Sequence, residues 1–120
     1  MPWKILVADD SVTELLMITT ALQERGFEVV TAVDGDEALE KVFTEQPQCI
    51  ILDVVMPKQN GFQLCRRLRR IEASRHIPII LLSQKNTPAD RAWGLQQGAD
   101  LYITKPFSRE ELVASVLRLI

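Results

Sequence analysis

The sequence predicts a doubly wound α/β fold on a single five-stranded parallel sheet, a (βα)5 domain. Three observations predict it. Short apolar runs alternate with longer stretches of helical period, the connections between them are short, and the central runs are apolar at nearly every position, as strands covered on both faces must be. With 120 residues, 47% of them hydrophobic, the chain can bury a core without disulfides or structural metal.

The first apolar run, "KILVA", drives straight into the adjacent aspartates Asp9 and Asp10. Ser11 and Glu14 then stand at capping-box spacing before a helix. Its predicted inner face is Val12, Leu15, Leu16, Thr19 and Leu22. "FEVVTA" reads as the second strand and an amphipathic stretch follows it. "CIILD" is the third, ending at Asp53; beyond it Asn60 is placed to cap the third helix and Gly61 to support its entry. Arg66, Arg67, Arg69 and Arg70 gather late in that helix, where cations favour the negative end of the macrodipole, and read as a solvated face. "IPIILLS" ends at Ser83. The helix in "PADRAWGLQQGAD" has a poor apolar stripe weakened by Gly94, and Trp93 reads equally as half-buried packing or as partner surface. "DLYIT" runs through Tyr102 to Lys105, and the last helix turns Leu112, Val113, Val116, Leu117 and Ile120 inward.

Cys49 and Cys65 sit inside apolar patterns, with no C-x-x-C and no histidine at metal spacing, so they read as small buried hydrophobes in a reducing compartment. His76, the only histidine, falls in a loop as a surface residue. A formal net charge of −2 excludes a basic field for nucleic-acid or membrane binding. The opening "MPWKILVADD" lacks a signal peptide's basic and apolar regions, and no apolar run approaches the ~18 residues of a membrane span. The expectation is one cytoplasmic domain over residues 1–120 without an output domain.

Parallel strands place their carboxyl ends on one edge, where open α/β sheets bind ligands. Asp9, Asp10, Asp53, Ser83 and Lys105 therefore meet there. Two unit charges ~4 Å apart repel by about 4 kcal/mol at an effective dielectric of ~20, so three crowded carboxylates call for a cation. Mg²⁺ suits best: it takes hard oxygens from one or two carboxylates, keeps waters and accepts phosphate oxygens. In this reading Asp9 and Asp10 hold the ion, Asp53 adds an oxygen, and the Val55 backbone carbonyl fills another position. Asp53 is the candidate phosphoacceptor, attacking a phosphoryl group in line. Lys105 pairs with the phosphoryl oxygens and the Ser83 hydroxyl donates to one. Taken singly, Asp10 and Ser11 explain a helix start, Asp53 a loop acid, Lys105 a solvated lysine and Ser83 a turn. Their convergence on one edge is what makes a site.

These pieces, "ADDS", "ILDVVMPKQNGF", "LLS" and "GADLYITKPF", stand in order along the whole chain, and the sequence resembles the receiver domain of two-component response regulators, of the chemotaxis-regulator type. The resemblance implies flavodoxin-like strand order 2-1-3-4-5, phosphorylation of Asp53 by a partner histidine kinase, joint reorientation of Ser83 and Tyr102, and a cis Lys105–Pro106 bond. It implies a signalling switch rather than an enzyme, apart from its own phosphotransfer and autodephosphorylation. "RAWGLQQGADLYITKPF" is also similar to single-domain regulators of pilus-based twitching or phototaxis. The chain departs from the pattern at Gln84, where the family has a small residue, and Val55 and Lys85 occupy positions that flank the phosphoryl group and influence its hydrolysis.

The expected output is docking of a downstream target protein through the fourth helix, fifth strand and fifth helix, with no direct nucleic-acid contact and no membrane insertion. A flavin carrier is excluded because Asp9 and Asp10 would repel a flavin phosphate, and an aspartyl-phosphate phosphatase because Val55 stands where its second acid belongs. Two alternatives stay open: a receiver excised from a longer DNA-binding regulator, and a receiver-like scaffold that signals without phosphate.

Overall fold

The computed structural model describes residues 3–120. Its elements run β1 (Lys4–Ala8), α1 (Val12–Gln23), β2 (Glu28–Ala32), α2 (Gly35–Glu45), β3 (Cys49–Asp53), α3 (Gly61–Arg70), β4 (Ile79–Ser83), α4 (Pro88–Gln96), β5 (Leu101–Thr104) and α5 (Arg109–Leu119). The strands form one parallel sheet in the order β2-β1-β3-β4-β5. This is the doubly wound sheet the apolar runs predict, each run becoming a strand to within two residues.

Because side chains alternate across a strand, the sheet divides the interior into two cores. Leu6, Ala8, Ile50, Leu52, Ile79, Leu81 and Tyr102 face α2 and α3. Ile5, Val7, Ile51, Ile80, Leu82 and Ile103 face α1 and α5. Cys65 belongs to the first core and Cys49 to the second, so the two thiols are buried, free and on opposite faces.

Every helix opens on a side-chain cap: Ser11, Asp34, Asn60, Thr87 and Ser108 each accept the backbone N–H three residues on. Asn60 and Gln63 complete a reciprocal capping box. The Ser11 box is half-formed. Ser11 Oγ accepts from the Glu14 N–H, but the Ser11 N–H donates to Asp9 Oδ1 at 2.9 Å, leaving the Glu14 carboxylate free to turn elsewhere.

Two predicted inner faces need correction. On α1 the buried stripe is Leu15, Ile18, Ala21 and Leu22, while Val12 and Leu16 are 75% and 67% exposed. Apolar residues surround this helix, so periodicity alone could not choose the stripe that meets α5. On α5 Leu117 is exposed and Ser115 is buried in its place, its hydroxyl donating to the Glu111 carbonyl at 2.8 Å.

The arginine cluster also divides. Arg66, Arg67 and Arg70 are exposed, as a solvated face requires, but Arg69 turns inward. Its guanidinium donates to the carbonyls of Gly98, Arg75 and Ile77 at 2.8, 3.0 and 2.6 Å and to Asp100 Oδ2 at 2.7 Å. Asp100 Oδ2 in turn accepts from the Ile79 N–H. The planar fork of Arg69 gathers carbonyls at the amino ends of β4 and β5, which a run of basic letters could not reveal. Among the described residues no helix is long and apolar enough to cross a membrane.

Candidate functional site

Register brings the site together. Ala8 pairs with Leu52, Asp53 with Leu82 and Ser83 with Thr104, so Asp9, Asp53, Ser83 and Lys105 leave neighbouring strands at the same edge. One oxygen from each of Asp9, Asp10 and Asp53 lies within 4.8 Å of the others. These carboxylates and Lys105 line a cleft of about 450 Å³ together with Ser83, Val55, Gln84 and Lys85. Val55 is 63% exposed.

Lys105 lies among the acids. Its Nζ is 3.0 Å from Asp53 Oδ1, 3.6 Å from Asp9 Oδ2 and 2.6 Å from Glu14 Oε2. Burial by itself would depress this ammonium, but Glu14 and Asp53 outweigh it and hold its pKa above the ordinary lysine value. Glu14 is held below the usual carboxylate range, first by the neighbouring Asp9 carboxyl and then by Lys105. Sequence reasoning placed Glu14 in a capping box and missed this contact.

Asp9 is fully buried. Its Oδ1 caps the Ser11 N–H, while Oδ2 has no hydrogen-bond partner. Burial pushes its carboxyl up to about 7, with Glu14 and Asp53 adding to the shift and the Ser11 N–H and Lys105 opposing it. Burial also raises Asp53, against the pull of Lys105. A buried carboxylate oxygen without a donor, facing two more carboxylates, is the arrangement a divalent cation completes. The donor set fits Mg²⁺, since all its atoms are hard oxygens. Asp9→Asn is therefore expected to act in two directions. Without metal it should stabilise the fold at pH 8 by roughly 1–2 kcal/mol, because a buried charge is removed and the Ser11 cap retained. Its Mg²⁺ affinity should fall at least about tenfold, since one of the three carboxylates that could hold the ion is lost. Chemical denaturation in EDTA and calorimetric Mg²⁺ titration measure the two effects; a destabilised metal-free variant would contradict this account.

Ser83 and Tyr102 meet through one residue. Ser83 Oγ accepts from the Lys85 N–H at 2.9 Å, and the Tyr102 hydroxyl donates to the Lys85 carbonyl at 2.8 Å. The Tyr102 ring is buried beneath α4. Gly94 makes the room: a Cβ there would stand 2.6 Å from Tyr102 Cδ2. The glycine that weakens α4 thus forms the seat of the ring, while Trp93 beside it is 49% exposed, which fits either reading of that residue. The Lys105–Pro106 bond is cis.

The response regulator receiver domain family matches residues 5–117. Chemotaxis response regulator CheY4 of Vibrio cholerae superimposes with a TM-score of 0.94 at 34% identity, over the whole of both chains. Protein PilG of Pseudomonas aeruginosa is 40% identical over 113 residues, 94% of this chain and 84% of PilG. The alkaline phosphatase synthesis transcriptional regulatory protein PhoP of Bacillus subtilis is 43% identical over 113 residues, 94% of this chain. The chain spans about half of PhoP, 46% of its length. It belongs to the response regulator receiver domains, signalling modules of two-component systems that work by phosphorylation, bind Mg²⁺ at an acidic pocket and interact with histidine kinases.

Proposed function

We propose that this domain is a phosphorylation-operated switch in which Asp53 takes the phosphoryl group from a histidine kinase in the presence of Mg²⁺. The observation that carries the reading is the position of Asp53: 6% exposed at the floor of an open cleft, beside two further carboxylates and in contact with the Lys105 ammonium. In the transfer an Asp53 oxygen attacks phosphorus while the P–N bond of the phosphohistidine breaks. The bonding electrons leave with the imidazole, which takes up a proton from water, and Asp53 becomes an acyl phosphate. Asp9, Asp10, Asp53 and the Val55 carbonyl would hold Mg²⁺, whose charge when bound offsets that on the phosphoryl oxygens.

Lys105 supplies N–H donors to the same oxygens. The Ser83 hydroxyl keeps its hydrogen, since its oxygen is the acceptor for the Lys85 N–H, and that hydrogen is available to a phosphoryl oxygen. Drawing Ser83 toward phosphate strains its bond to Lys85, and Lys85 also holds the Tyr102 hydroxyl. This shared backbone is the route from Asp53 to α4. Moving such an equilibrium from 1:99 to 99:1 needs about 5.5 kcal/mol, within reach of several charge-assisted hydrogen bonds. The face formed by α4, β5 and α5 is the surface that docks the target protein; α4 exposes Trp93 and Leu95 to either side of the buried Gly94.

A second reading, that this domain is the receiver of a longer DNA-binding regulator, is supported by the identity with part of PhoP. The identity with most of PilG supports a domain acting alone. Both share the phosphoryl chemistry. Incubated with acetyl phosphate, the protein is expected to gain a single phosphoryl group by intact mass in Mg²⁺ and none in EDTA. No gain in Mg²⁺ would favour a phosphate-independent scaffold.

A further inference from the structure

Of the four carboxylates that line the cleft, Glu14 is the one the phosphoacceptor reading leaves without a role. It is not a helix cap, since its carboxylate does not return to the Ser11 N–H. It makes the shortest ion pair of the site instead, 2.6 Å to Lys105 Nζ, against 3.0 Å for Asp53. Nor is it a loose surface contact: the Lys105 side chain is 10% exposed and that of Glu14 32%.

An ammonium has three N–H donors. Glu14 takes one and Asp53 another, and Asp9 Oδ2 faces the third from 3.6 Å. A phosphoryl group on Asp53 needs those donors, and it adds negative charge beside a carboxylate already committed to the same cation. We propose that Glu14 is a positioning residue that competes with the phosphoryl group for Lys105, while its charge draws Mg²⁺ into the cleft. The proposal rests on the phosphoacceptor reading, and it makes a claim that a packing role does not. Removing the charge must act with opposite sign on the two ligands, because one is a cation and the other an anion.

Glu14→Gln keeps the size and reach of the side chain and removes the charge. In calorimetric titrations the variant is expected to bind Mg²⁺ alone about twofold to threefold more weakly. At saturating Mg²⁺ it should bind fluoroberyllate, a stand-in for the phosphoryl group, about threefold to tenfold more tightly. Both differences should shrink in high salt. Glu14→Asp, which keeps the charge but is one methylene shorter, should retain Mg²⁺ affinity within twofold and release Lys105. Equal affinities in wild type and Glu14→Gln, or shifts of the same sign for both ligands, would overturn the proposal.

A third measurement separates this proposal from the reading beneath it. The rate at which acetic anhydride acylates Lys105, followed by peptide mass in EDTA, needs neither metal nor phosphate. Weakening of the Glu14–Lys105 pair, by removal of its charge or shortening of its reach, should raise that rate about twofold or more in both variants, with labelling of the exposed Lys58 as the internal reference. An unchanged rate means that Glu14 does not hold Lys105 and refutes the proposal even if wild type binds both ligands. Faster labelling in a protein that binds neither ligand would show the pairing to be real but without the competing phosphoryl group, which refutes the competition and the phosphoacceptor reading together.

Discussion

Asp53→Asn is expected to take up no phosphoryl group from acetyl phosphate in Mg²⁺, a loss of at least about a thousandfold, as when a nucleophile that nothing else replaces is removed. None of the neighbouring acids is placed to substitute. Asp9 is fully buried, with one oxygen committed to the Ser11 N–H. Glu14 is engaged by Lys105, and Asp10, though exposed, has no ion pair with that lysine. An amide nitrogen is not nucleophilic, yet the side-chain carbonyl of Asn can still accept from Lys105, so the cleft should keep its shape. The variant should also be the more stable protein without metal at neutral pH. Burial raises the Asp53 pKa, so its ionised form carries a cost that rises with pH through that shifted value and that asparagine does not bear. Intact mass and denaturation in EDTA test the two halves. A phosphoryl group on the variant would place the acceptor elsewhere.

Gly61→Ala is expected to destabilise the fold by about 2–3 kcal/mol, although alanine is the better helix former by up to about 1 kcal/mol. The competition is between propensity and space. Gly61 opens α3, and its N–H donates to the Val54 carbonyl at 2.8 Å. A Cβ there would stand 2.6 Å from the Asp53 carbonyl oxygen and 3.0 Å from Val54 Cα. These are backbone atoms of the strand end itself, which cannot rotate away. Relief requires α3 or the end of β3 to shift, so the phosphoryl gain should slow along with the loss of stability. Urea unfolding decides the sign: an unchanged or stabilised variant would mean that the contact yields.

The fold was legible because each buried strand is written as an unbroken apolar run. "CIILD" and "IILLS" are covered on both faces, and nothing competes with that pattern. Helix faces were less legible. On α1 Val12 and Leu16 are as apolar as Ile18, and only contact with α5 selects between them. The acids at the strand ends could be read because parallel topology converts chain position into proximity. Glu14 and Arg69 could not, since their partners stand 91 and 31 residues away. A local pattern of capping or charge offered each of them a sufficient explanation without those partners. Gly94 was read as a weakness for a similar reason: the ring it accommodates comes from the next strand.

Asp9 divides its carboxylate between two tasks, one oxygen fastening the entry of α1 and the other turned to the acidic cluster. Ion uptake and the integrity of that first helical turn are therefore joined through a single side chain. A substitution at Asp9 that removes or shortens the side chain is expected to reach both, with altered amide exchange at Val12 and Thr13, whereas asparagine, which keeps an oxygen for the Ser11 N–H, should separate them.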